Sequence, residues 1–172
     1  MKKFWVLSMA FALLAPIAVL TGGPAGAAGG TTCPAPSGTI TILPGLGKTL
    51  KVQTISFNLP LKSCKGGGVT GGSIKGSEKT TPVDISTFAS GKPLPLSASV
   101  TWNTKATSKF TAVASTKTTK GVISYSIKSK ITTGLFKGLT LTTSGTVGFG
   151  KAGAGGTISN LILKGTKPFT IA

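Results

Sequence analysis

Alternation of apolar and polar residues, cut at short intervals by glycine, most limits what this chain can fold into. From Val122 to Thr132, Ile123, Tyr125, Ile127 and Ile131 share one parity, while Ser124, Ser126, Lys128 and Lys130 share the other. Leu96, Ala98, Val100 and Trp102 alternate with Ser97, Ser99 and Thr101. Leu139, Leu141, Val147 and Phe149 alternate with Thr140, Thr142, Ser144 and Thr146, and Phe110, Ala112 and Ala114 with Lys109, Thr111, Ser115 and Lys117. A period of two sends successive side chains to opposite faces, so these segments read as half-buried antiparallel strands. Ser, Thr, Val and Ile are abundant beyond residue 30 and the helix formers Glu, Gln, Met and Arg are nearly absent, which points the same way. Lys65-Gly66-Gly67-Gly68 and Ser90-Gly91 are turn signals, and Lys120-Gly121, Thr133-Gly134, Ser144-Gly145 and Gly153–Gly156 follow at roughly the 8–12-residue spacing of sandwiches and barrels.

The predicted fold is therefore all-β: an antiparallel barrel or sandwich of roughly 8–9 strands in a single domain. Gly38–Leu43 and Lys48–Lys62 read as a first hairpin around Pro44-Gly45-Leu46-Gly47. The second of these strands changes parity near Gln53–Thr54, the mark of a bulge or bend. Val69–Lys79 is a weaker strand, and Thr157–Lys164 and Pro168–Ile171 end the domain, the first of them apolar on both faces. Thr80–Ser90 breaks the rhythm; Pro82, Asp84 and the Ile85/Phe88 spacing predict one helical turn or a plug over one end of the sheet.

The N-terminus reads as an export signal. Met1-Lys2-Lys3 is a positive start, Phe4 to Leu20 an apolar run broken by Pro16, and Gly22 to Gly30 a small-residue stretch suited to cleavage. The predicted division is a cleaved signal at 1–28 and a mature β domain at 29–172, secreted or held at the cell surface, with no transmembrane helix in the mature chain. Cys33 and Cys64 are an even pair in an exported chain and predict one disulfide. Closing a loop of about 32 residues stabilises by roughly 3–4 kcal/mol in the chain-entropy description.

Gly38-Thr39-Ile40-Thr41 with Pro44-Gly45-Leu46, the Cys64 that follows, and Gly134-Leu135-Phe136-Lys137-Gly138-Leu139-Thr140-Leu141 resemble a group of small exported β-rich proteins from actinobacteria. The resemblance implies a β fold and an exported life, and it carries no activity with it.

Charge decides which functions are excluded. The chain has no arginine and no histidine, nineteen lysines and two acids, Glu78 and Asp84, for a formal charge of +17. Without histidine, and with two carboxylates beside turns, general acid–base, metal and nucleophilic catalysis lack their usual groups. No enzyme activity, cofactor or metal is expected. Specific nucleic-acid recognition is not expected either, because base readout leans on arginine's bidentate fork. Two binding readings remain. In the first, outward lysines, with Lys109 and Lys117 on one strand beside Lys128 and Lys130 on the next, form a cationic face for anionic cell-wall polymer or lipid headgroups. In the second, the barrel carries a small apolar, lipid-like ligand in a pocket lined by Phe57, Trp102, Phe110, Tyr125 and Phe149.

Overall fold

The structure, a computed structural model, describes residues 29–91 and 93–172; the predicted signal lies outside the described residues. The chain runs through β1 (Thr31–Cys33), β2 (Ser37–Leu46), β3 (Thr54–Leu61), β4 (Gly72–Lys79), α1 (Ile85–Ala89), β5 (Leu94–Trp102), β6 (Thr107–Thr119), β7 (Val122–Gly134), β8 (Thr140–Phe149) and β9 (Ile158–Ile171). Each strand from β2 to β9 pairs antiparallel with the next, and β9 returns to pair with β2. The sheet is thus a closed eight-stranded barrel, and β1 is an extra strand on the far end of β9. Barrel and sandwich were both open from the sequence; β9 decides between them. Its first half pairs with β2 (Ile40 opposite Leu161), its last residues with β1 (Thr31 opposite Ile171), and its other edge follows β8 (Val147 opposite Leu163). The two terminal segments read from the sequence are one 14-residue strand.

The parity of the strands sets the core. Ile42, Ile55, Leu59, Ile74, Val100, Phe110, Ala112, Ile123, Leu141, Leu161 and Leu163 are buried within the barrel, while every described lysine is exposed. Apolar inside and polar outside is the reverse of the alternation in a lipid-facing barrel. No described helix is long and apolar enough to cross a membrane.

Two expectations need correction. Residues 48–53 are not part of the second strand: Leu50 and Val52 are about half exposed in the connection, and β3 begins at Thr54. The parity change marks the start of a strand, not a bulge. Its cause is Gln53, fully buried, whose side-chain amide accepts from the Gly45 N–H (3.0 Å) and donates to the Gly45 carbonyl (3.1 Å). That pair of bonds staples the connection to the end of β2 and pulls Gln53 out of the alternation. The start of β9, in turn, is not buried on both sides, since Ile162 points outward with Ile158, Leu161 and Leu163 buried.

The barrel has two unlike ends. The connections β2–β3, β4–β5, β6–β7 and β8–β9 lie at one, with α1; β1 and the connections β3–β4, β5–β6 and β7–β8 lie at the other, with the disulfide.

Candidate binding surfaces

The disulfide end is closed by interlocking side chains. Cys33 and Cys64 are bonded, as predicted, tying β1 to the chain just after β3. Trp102, almost fully buried, meets Phe136 edge to face with ring centroids 5.3 Å apart. Its Nε1 donates to the Ser108 hydroxyl (2.9 Å), which donates to the Leu135 carbonyl. Gly67 has a left-handed backbone (φ 60°), and a Cβ there would come within 2.5 Å of the Phe136 ring, so only glycine lets the β3–β4 connection cross this plug. Trp102 is therefore part of a structural seal and lines neither of the two interior cavities.

The helix end is closed by one short turn. Asp84 caps α1: its Oδ1 accepts from the Thr87 N–H (2.7 Å) and the Ser86 hydroxyl (2.8 Å), and these bonds hold its carboxyl below the usual range. Thr116 and Thr118 on β6 donate to the Phe88 and Ala89 carbonyls, and the Ile85 N–H donates to the Gly47 carbonyl. These contacts lay Phe88 over the barrel mouth, where it meets Phe149 at 6.5 Å between ring centroids. Phe149 sits at this rim, 40% exposed, and lines neither interior cavity. Glu78 lies on β4 opposite Ile55 while Asp84 is engaged in capping, so the two acids do different jobs. No cluster of three or more His, Cys, Asp or Glu occurs among the described residues.

Between these ends the interior holds two apolar cavities of about 40 and 70 Å3. Phe57, Leu96, Tyr125, Ile127 and Leu163 line both and divide one from the other. Of the five predicted pocket residues, Phe57, Phe110 and Tyr125 are here; the small Ala98 and Ala112 leave space in the lobe nearer the disulfide, and Phe88 caps the lobe nearer the helix. The Tyr125 hydroxyl and Thr143 Oγ1 are both buried in this apolar setting without a hydrogen-bond partner among the described residues. Burial pushes the Tyr125 phenol up, and the nearby Thr143 hydroxyl opposes that shift without standing in hydrogen-bonding geometry to it. An unsatisfied buried hydroxyl costs about 1–3 kcal/mol. Thr143 went unnoticed in the sequence because it sits in a run of threonines, although it shares the parity of Leu141 and Val147.

On the outside, Lys109 and Lys117 on β6 and Lys128 and Lys130 on β7 are hairpin neighbours. The register keeps the charges apart: Lys109 faces Ser99 and Thr133, Lys117 faces Ser124, Lys128 faces Thr142 and Lys130 faces Thr140. Lys75 faces Ser99 and Asn58, Lys79 faces Thr54, Lys164 faces Thr146 and Ser37, and Lys167 faces Ser144. Like charges directly opposite would destabilise the sheet, and here each has a hydroxyl or amide partner instead. The four predicted residues stand on the adjacent strands β6 and β7, and further exposed lysines stand on β4 and β9.

Exposed apolar side chains are distributed otherwise. Leu43, Leu50, Val52, Val122 and Phe149 all lie at the helix end or on its rim, Ile162 and Val113 on the barrel wall. Lys48, Lys51, Lys120 and Lys151 stand exposed in the same connections. The chain matches no protein family, no curated protein and no solved structure.

Proposed function

We propose that this protein is a non-catalytic module of the cell envelope that docks, helix end first, on an anionic lipid bilayer. One observation carries this: lysines stand at both ends of the barrel, but at the helix end alone do large apolar side chains of the described residues stand exposed among them. Leu50 and Val52 flank Lys51, and Val122 follows Lys120-Gly121 at the β6–β7 tip. A cell-wall polymer would use the lysines but offers no apolar phase for the leucine and valines; a bilayer interface accepts both. Anionic headgroups attract each nearby lysine by about 1 kcal/mol, and each large apolar side chain withdrawn from water adds roughly 1.5–3 kcal/mol. The signal predicted at 1–28 and the disulfide support a place outside the cytoplasm.

Vesicle co-sedimentation tests this. Vesicles of phosphatidylglycerol and phosphatidylcholine should bind the protein, pure phosphatidylcholine should not, and rising salt should release it. Leu50→Ser with Val52→Ser should weaken binding about tenfold or more while leaving the melting temperature unchanged. Lys62→Gln with Lys137→Gln, at the opposite end, should weaken it far less. Equal loss from both pairs, or binding indifferent to salt, would remove the oriented docking.

A further inference from the structure

We infer that the barrel interior is a binding site for a small neutral molecule, mostly apolar, with one hydroxyl or carbonyl group received by Tyr125 and Thr143. The argument is independent of membrane docking. Closed barrels of this size usually fill their interiors with side chains; this one leaves two lobes, and it places two hydroxyls where apolar residues would have completed the packing. Tyr125 is 5% and Thr143 7% exposed, both line the lobe nearer the disulfide, and neither has a hydrogen-bond partner among the described residues. Buried polar groups are nearly always satisfied, so two in one apolar space point to a partner that enters.

The lining fixes the chemistry of that partner. No charged residue among those described borders either lobe, so a carboxylate or an amine would be buried without a counter-charge. A neutral hydroxyl or carbonyl can accept from the Tyr125 hydroxyl, and Thr143 can give or take the second bond. The volume fixes the size. Cavities of about 150 Å3 lined by Leu, Ile and Phe admit benzene, and the two lobes here together are of that order once the side chains dividing them turn aside. Because the lobes together are somewhat smaller than that benzene cavity, the molecule is limited to about 6–7 non-hydrogen atoms, such as a phenol or a short-chain alcohol. Phe88 separates the helix-side lobe from solvent and is held by a single five-residue helix, so entry is through that end.

Tyr125 is the chain's only tyrosine, which makes the test direct. In NMR titrations of the mature protein, phenol and 1-hexanol should shift the Tyr125 ring and Thr143 methyl resonances saturably, and hexanoate should not. Tyr125→Phe should weaken binding of 1-hexanol roughly tenfold. Ala112→Leu, which fills the lobe, should abolish it; its own fold is checked by the Trp102 indole resonance in the seal at the disulfide end. Unchanged Tyr125 shifts at saturating phenol and hexanol would overturn the site, as would ordered water alone between the two hydroxyls. Tyr125→Phe binding hexanol as tightly as the parent would overturn the role of the hydroxyls.

Discussion

The two ends of the barrel solve the same problem with unequal means. At the disulfide end, a covalent bond, a tryptophan–phenylalanine pair and a glycine crossing leave no large apolar side chain among the described residues exposed. At the helix end, a five-residue helix holds one phenylalanine over the mouth, and leucine and valines stand in solvent around it. The first end is built to hold the strands together. The second combines a weakly fixed cover with the groups that a partner would need. Structural cross-links and functional surface are thus separated along the barrel axis.

The contrast can be broken by mutation. Phe136→Ala should cost about 3–5 kcal/mol, because its pocket is bounded by Trp102 and backbone that cannot collapse. Phe88→Ala should cost only about 2 kcal/mol, because α1 can settle into the lobe beneath it. Urea unfolding of the two variants measures the difference, and equal losses would erase the asymmetry. Cys33→Ser with Cys64→Ser should lower stability by about 3–4 kcal/mol and leave vesicle binding by the folded fraction intact. If binding fell with it, the two ends would not be independent.

The smallest effect concerns acid. Asp84 has its folded-state pKa lowered from 3.8, chiefly by the Thr87 hydrogen bond, so its contribution is present above the unfolded value and is lost as pH falls through the folded one. Amide protection in Ile85–Ala89, taken relative to the intrinsic exchange rate at each pH, should therefore fall below about pH 4 and stay level from there to neutrality. Exchange at the Trp102 end should not follow it, and Asp84→Asn should remove the acid transition.

Much of this was legible from alternation alone. The parity of Ile123, Tyr125 and Ile127 against Lys128 and Lys130 placed the core and the coat on the right faces. The break at Thr80–Ser90 placed α1, and two cysteines placed the disulfide. What could not be read depended on partners distant in sequence. Closure needs β9 to meet β2 across more than 100 residues, and no local pattern announces that. Leu50 and Val52 look like strand residues; only the Gln53 bonds to Gly45 put them in a connection. Trp102 and Phe149 carry the inward parity yet sit where their strands leave the barrel, so one became a seal and the other a rim. Register was invisible too, and with it the placing of every ladder lysine opposite a hydroxyl or amide.

That placing has a consequence for how copies of this protein meet. Lys75 and Lys109 both face Ser99, so they stand two strands apart, about 9–10 Å. This is close to one screening length in physiological salt. Within one molecule salt weakens the repulsion between these two lysines, while two molecules approaching side by side present whole coats to one another. The eight strands of the closed ring all have neighbours on both sides, leaving the short β1 as the terminal strand, and the charged wall resists lateral stacking. Crowding at a surface should therefore leave the barrels separate.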